Sequence, residues 1–438
     1  MIDPPAGLAG AGACEVLERR RAGRVAAADW VAACVARIGE RDAALRAWVR
    51  VDAAGALAAA RALDAEPQPG PLAGLPFGVK DVIDVAGLPT GCNSPTRAAH
   101  VAAAHAACVA RLVAAGAVVL GKTVTTEFAF VEPGPTRNPH DPARTPGGSS
   151  SGSAAAVADH HVPVALTTQT GGSTIRPAAY CGIVGYKPPY GRVPTEGLVY
   201  LAPSLDVIGL HARSVADAAR VAEVLEARPR PAQPAVAPRF VALSLPGLRA
   251  CDPSALAAFR AGLRRLAHAG ASVRDAGLPE EVERLDDAHR TVMSVEVARS
   301  FEALIAADGA RLSASLRAFV ERGRATSGDA LAAAQAVIAR VRQALHAFAA
   351  DGEVLLTPAA TGEAPVGLHA TGDSVLNRPF SLLQVGVVTV PAGTGLAGLP
   401  LGLQIADPHP AADRLFGAAA FAEAVLARAA PVPQERAQ

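Results

Sequence analysis

Pro146-Gly147-Gly148-Ser149-Ser150-Ser151-Gly152-Ser153-Ala154-Ala155-Ala156-Val157-Ala158 is followed closely by Val162-Pro163-Val164-Ala165-Leu166-Thr167-Thr168 and then by Thr170-Gly171-Gly172-Ser173. The first segment reads as a glycine- and serine-rich loop that opens into an alanine-rich helix. The second is a short apolar and β-branched run bounded by turn residues, the pattern of a buried strand. It leads directly into the second glycine-serine segment. Loop, helix, strand and loop in such close succession point to an α/β architecture.

The same alternation extends in both directions. Upstream, residues 75–85 are strand-like around Phe77, Val79, Val82, Ile83 and Val85. A helix at about residues 103–115 leads into Ala117-Val118-Val119-Leu120-Gly121-Lys122, which reads as a buried strand after a crossover. Residues 14–64 read as helices, with Trp30, Val31, Cys34, Val35 and Ile38 at helical spacing. Downstream, Pro229, Pro231, Pro234 and Pro238 form a linker-like stretch. Strands are expected at Val241–Leu245, Val354–Pro358, Val387–Pro391 and Leu401–Ile405, and residues 253–350 are helix-rich. The expected organisation is an N-terminal helical segment (1–65), a core (66–228) and a C-terminal part of the same domain (239–438) carrying a helical layer at 250–350.

Composition narrows the functional classes. The chain has 438 residues, 50% hydrophobic and 18% charged, with a formal net charge of +1. That balance makes no electrostatic case for nucleic acid or an anionic membrane. The mean hydropathy of +0.25 reflects many alanines; no stretch approaches the ~18–20 uninterrupted apolar residues of a membrane span. Met1-Ile2-Asp3-Pro4-Pro5 shows no basic region followed by an apolar run. Six cysteines without metal-ligand spacing fit free thiols in a reducing compartment, so a cytoplasmic location is expected. Cys181, near the candidate chemistry, reads as a small buried side chain.

Two glycine-flanked serines and Lys80, in Pro76-Phe77-Gly78-Val79-Lys80-Asp81, suggest a proton relay that uses no histidine. Amide hydrolysis needs a nucleophile, a base that later returns the proton, and donors for the oxyanion. Successive backbone N–H groups of Thr170-Gly171-Gly172-Ser173 can form such a nest. A lysine serves as base only when neutral, which requires its pKa to fall from about 10.4 by roughly three units, a differential of about 4 kcal/mol. Burial among Phe77, Gly78, Val79, Val82 and Ile83 supplies the cause, provided the strand turns Asp81 to the opposite face. Ser149 can then pass a proton between Lys80 and Ser173. The serine-rich loop lacks the GK[ST] ending of a phosphate-binding P-loop, and no GxSxG elbow is present. His160-His161 reads as a polar surface turn rather than a ligand pair, and no metal site is expected.

Together these segments resemble the amidase signature family. The resemblance runs from Gly74-Leu75-Pro76-Phe77-Gly78-Val79-Lys80-Asp81 through Thr136-Arg137-Asn138-Pro139 and residues 146–158 to Thr170–Ser173. It continues over Ile175–Gly182, Gly185-Tyr186-Lys187-Pro188, Asn377-Arg378-Pro379-Phe380 and Gly398–Gln404, leaving 240–350 unmatched. The 24 residues between Ser149 and Ser173 fit the family spacing. The resemblance implies a single three-layer α/β/α fold with a mixed central sheet. It implies Ser173 as nucleophile, Ser149 as bridging serine after a cis peptide from Gly148, and Lys80 as base. It also implies oxyanion donors at Thr170, Gly171, Gly172 and Ser173, with Ser153 and Thr168 holding the relay from behind. No metal or organic cofactor is implied.

One departure is informative. Many members read Asp-Thr-Gly-Gly-Ser-Ile-Arg, whereas this chain has Gln169-Thr170-Gly171-Gly172-Ser173-Thr174-Ile175-Arg176. This looks like the malonamidase-type branch, in which Arg176, together with Gly148, would bind a substrate carboxylate; the competing reading is a structural arginine that pairs with a backbone carbonyl or an acid. The expected function is hydrolysis of a small carboxamide, with a homodimer as one possible assembly. Two alternatives stand beside it: the glutamine-hydrolysing A-type subunit of a tRNA amidotransferase, and an inactive scaffold.

Overall fold

The computed structural model describes residues 7–66, 70–229, 237–277, 280–348, 352–409 and 414–427. Met1–Pro5 and the prolines Pro231 and Pro234 of the linker-like stretch lie outside them. Eleven strands form one sheet: β1 (Trp48–Val51), β2 (Pro76–Lys80), β3 (Val118–Thr123), β4 (Val164–Gln169), β5 (Val184–Lys187), β6 (Val207–Ala212), β7 (Arg239–Ser244), β8 (Ser272–Gly277), β9 (Glu353–Pro358), β10 (Gly386–Thr394) and β11 (Pro400–Asp407). Their spatial order is β1-β3-β2-β4-β6-β5-β10-β11-β9-β7-β8. β3, β2 and β4 run parallel, as do β9, β7 and β8; the pairings between these two blocks are antiparallel. The sheet is therefore mixed.

Alternation along the strands builds two cores. Phe240 and Ala242 of β7, with Val354 and Leu356 of β9, belong to one apolar cluster; Val241, Leu243 and Leu355 belong to the other. Successive side chains point to opposite faces, so each face of the sheet carries its own layer and every residue of β2, β4, β6, β9 and β11 is buried. No described helix is long and apolar enough to cross a membrane.

Residues 1–65 are not wholly helical: β1 lies between the helices Ala27–Leu45 and Ala53–Asp64 and pairs antiparallel with β3. Four residues are too few for a strand period to emerge between two alanine-rich helices. Gly121 makes the pairing possible, because a Cβ there would lie 2.0 Å from the Arg50 carbonyl oxygen. The helical layer likewise contains a strand, β8, whose side chains are exposed or half-buried at the sheet edge.

His160-His161 is buried and is not a surface turn. His161 Nε2 lies 3.1 Å from Asp159, and its Nδ1 accepts a hydrogen bond from the Trp48 indole at 3.0 Å. Asp159 also receives Arg37 and Arg41, which fastens the helix Ala27–Leu45 to the end of the helix Ser151–Ala158.

The fold places the chemistry-bearing segments together. β2 ends at Lys80, its parallel neighbour β4 ends at Gln169, and Ser149 lies two residues before the helix Ser151–Ala158, which packs on β4 and β2. The carboxyl ends of parallel strands are where open α/β sheets hold ligands.

Candidate active site

Lys80 is fully buried. Its Nζ lies 2.7 Å from Ser149 Oγ, 2.7 Å from Thr168 Oγ1 and 3.5 Å from the Thr168 carbonyl oxygen. Asp81 faces away and pairs with the buried Lys122 at 2.9 Å, so it does not hold Lys80 in its charged form. Burial lowers the Lys80 pKa to about 7, with Arg176 pushing the same way and Asp206 and Cys92 opposing. A neutral amine has two N–H donors and one lone pair. The donors fit Thr168, and the lone pair fits the Ser149 hydroxyl proton.

The Gly148–Ser149 peptide is cis. Ser173 lies between β4 and the helix Ile175–Cys181, 9% exposed, and its hydroxyl bonds no described residue. Ser150, which sequence reasoning does not single out, joins the two segments: its N–H donates to the Ser173 carbonyl at 3.4 Å and its hydroxyl to the Thr168 carbonyl at 3.2 Å. Ser151 turns instead to the Val124 carbonyl. Three adjacent serines look alike in sequence, and only the backbone path separates them. Ser153 bonds Thr123 Oγ1 at 2.7 Å and the Leu166 carbonyl at 3.0 Å, touching neither Lys80 nor the other two serines. Thr168 does touch Lys80.

The loop Thr170–Ser173 is held through its carbonyls. Thr170 O accepts from His289 Nε2 at 3.1 Å, Gly171 O from Ser381 Oγ at 2.8 Å, and Gly172 O from the Arg176 N–H at 2.9 Å. In a planar trans peptide the N–H points opposite to the C=O, so the N–H groups of Gly171, Gly172 and Ser173 are directed away from these braces. The N–H groups of Thr170–Ser173 donate to no described residue. The Thr170 hydroxyl donates to Asp206 at 2.5 Å. Asp206 also accepts the N–H groups of Leu201 and Ala202, and burial raises its pKa to about 6. His289 comes from the helix Leu285–Ser300, inside the stretch 240–350 where no local motif of the family is legible. Burial takes its pKa down to about 4, which leaves a neutral ring that donates through Nε2.

Arg176 is buried. Its Nε donates to Thr371 O at 2.8 Å and its Nη2 to Gly148 O at 2.7 Å and Thr371 Oγ1 at 3.2 Å. Arg176 thus joins Gly148 to the loop carrying Thr371.

A family model described as Amidase matches residues 29–410. The chain belongs to the amidase family. Over 475 residues it is 35% identical to the A-type subunit of the glutamyl-tRNA(Gln) amidotransferase of Acidothermus cellulolyticus, covering 94% of both chains. It is 49% identical to the corresponding A-type subunit of Roseiflexus castenholzii over 212 residues, 46% of this chain and 43% of that one. A solved amidase superposes with a TM-score of 0.87 at 30% identity, covering 95% of this chain and all of the other.

Packing around the loop Thr170–Ser173 yields one steric prediction. A Cβ at Gly172 would lie 2.6 Å from Asn377 Oδ1 and 2.7 Å from Ser374 Cβ, whereas one at Gly171 meets nothing closer than Arg378 Cγ at 3.4 Å. Asn377 cannot yield, because its amide nitrogen is tied to Ala359 O and Gln404 Oε1. Gly172→Ala is expected to lower amide turnover by at least about 100-fold, the scale of losing one oxyanion donor. Gly171→Ala is expected to stay within about fivefold of the parent, because it leaves that donor in place. Steady-state kinetics of the two variants side by side test this, and equal losses would contradict it.

Proposed function

We propose that this amidase hydrolyses the C–N bond of a carboxamide through an acyl-Ser173 intermediate. The observation that carries the reading is the buried Lys80, its pKa lowered by burial to about 7, in contact with Ser149. In the proposed route Ser173 Oγ attacks the amide carbon while its proton passes to Ser149, and the Ser149 proton passes to Lys80 Nζ. The carbonyl oxygen gains negative charge and is met by the N–H groups of Thr170, Gly171, Gly172 and Ser173. The proton then returns along the relay to the leaving nitrogen, the C–N bond breaks, and ammonia or an amine departs. Water attacks the ester in the same way, giving the acid and restoring Ser173. Side chains of this chain carry every proton step. All six cysteines are free thiols, and the proposed compartment is the cytoplasm.

Arg176 uses Nε and Nη2 on backbone and side-chain oxygens, while Nη1 bonds no described residue. That remaining nitrogen supports a contact with a substrate carboxylate beside Gly148. Such a contact suits a small amide acid, and it suits glutamine equally, which carries a carboxylate of its own. The relatives named as A-type amidotransferase subunits support glutamine hydrolysis within a larger assembly as a second reading; the superposition on a solved amidase supports amide hydrolysis and is compatible with either.

An ammonia-release screen separates the two readings. It would cover malonamate, aliphatic and aryl amides, ureas and glutamine, with the purified chain and Ser173→Ala as control. Turnover of a carboxylate-bearing small amide by the chain alone is the expected result. Glutamine hydrolysis that appears only when amidotransferase partner subunits are added would establish the second reading. Ammonia release equal to that of the Ser173→Ala control on every substrate would remove both.

A further inference from the structure

Gln169, the residue at the end of β4, is 1% exposed and makes three hydrogen bonds. Its Oε1 accepts the backbone N–H groups of Thr174 at 2.9 Å and Ile175 at 3.0 Å. Its Nε2 lies 3.0 Å from Ser381 Oγ. Ser381, from the helix Arg378–Leu382, is also 1% exposed, and its Oγ lies 2.8 Å from the Gly171 carbonyl oxygen.

The direction of every bond in this chain is determined. Two backbone N–H groups can meet only the oxygen of the amide, so Oε1 faces Thr174 and Ile175 and the NH2 group must face Ser381. An NH2 group cannot accept, so the Ser381 oxygen is the acceptor of that bond. A hydroxyl has one proton, and it is left for the Gly171 carbonyl. That carbonyl belongs to a trans peptide, so bracing it sets the direction of the Gly172 N–H, one of the donors of the acyl-transfer loop.

We propose that Gln169 is a positioning residue which, by forcing Ser381 to donate to Gly171 O, holds the Gly172 N–H in line for the developing oxyanion. The inference rests on the amidase reading given above. A glutamate is the sharpest probe because it has nearly the same shape with the opposite bonding sense. One carboxylate oxygen can still accept Thr174 and Ile175, but the other accepts the Ser381 proton. Gly171 O then loses its brace while the site keeps all its atoms.

The test compares the parent with Gln169→Glu, Ser381→Ala, the double variant, and Ser381→Thr as the conservative rescue. Thermal midpoints are checked first, then kcat and KM on the amide that the parent turns over. Each of Gln169→Glu and Ser381→Ala is expected to lower kcat by about 10- to 100-fold, below the loss for deleting a donor outright. KM should stay within about twofold, since the brace acts on the transition state. Ser381→Thr should recover most of the rate. The double variant should lose no more than about twofold beyond Ser381→Ala, because residues acting through one another are not additive. Folded single variants with the parent's kcat, or losses that multiply in the double variant, would overturn the inference and leave the amidase reading intact. Should Gln169→Glu fail to fold, Ser381→Ala and its threonine rescue decide alone. A parent that shows no Ser173-dependent turnover removes the reading and this inference with it.

Discussion

Replacing Ser173 with alanine is expected to lower kcat for amide hydrolysis by at least about 10⁴-fold, the scale seen when a serine nucleophile is deleted from a site whose other groups remain. The fold should be untouched. The Ser173 hydroxyl bonds no described residue, and its backbone stays anchored by Ser150. The variant should therefore show the parent's thermal midpoint and, with the loop Thr170–Ser173 intact, a similar affinity for substrate. Kinetics on a folded variant check this directly. Residual turnover within about tenfold of the parent would require another nucleophile, because no alternative base-assisted serine attack recovers a loss of this size.

The second large effect belongs to Lys80. Lys80→Met keeps the unbranched shape of the buried side chain but removes the lone pair that would receive the Ser149 proton. The expected loss in kcat is about 10²–10⁴-fold, the usual contribution of a positioned general base. The parent's own pH dependence follows from the same group. Burial puts the Lys80 pKa at about 7, so the amine is mostly neutral above that pH and mostly protonated below it. Only the neutral form can take a proton. The kcat/KM of the parent should therefore be level in alkaline solution and fall about tenfold per unit as pH drops below about 7. Lys80→Met should lack this limb. A parent profile that is flat from about pH 5.5 to 9, or a methionine variant with the parent's rate, would contradict a lysine base.

The residues of the proposed relay are readable in the sequence because they sit in local patterns with few meanings. Lys80 ends an apolar run, and Ser149 and Ser173 stand in glycine-rich segments that flank a recognisable helix and strand. The parallel arrangement of β2, β3 and β4 is foreshadowed by the crossover pattern around residues 103–122. The short strands β1, β5, β6 and β8 do not stand out: charged residues interrupt β1 and β8 and a glycine interrupts β5 and β6, which leaves no unbroken apolar run. What braces the loop is hidden for a different reason. Asp206 lies 36 residues from Thr170, His289 lies 119 from it, and Ser381 lies 210 from Gly171. A hydrogen bond between residues so distant leaves no spacing in the sequence. Gln169 stands out only as a departure from a familiar motif, and its meaning depends on Ser381, which no local pattern connects to it. Likewise, polarity alone puts His160-His161 at the surface, while its burial depends on Trp48 and Asp159 meeting it across the fold.

Formation of an acyl-enzyme on Ser173 can be read by mass spectrometry of the intact protein after brief reaction with a serine-directed acylating or phosphonylating probe, followed by peptide mapping. The expected result is one adduct per chain, located on Ser173, absent from Ser149, Ser150 and Ser151, and formed far more slowly in Lys80→Met. An adduct on a different serine, or none under conditions in which the same preparation releases ammonia from an amide, would contradict it.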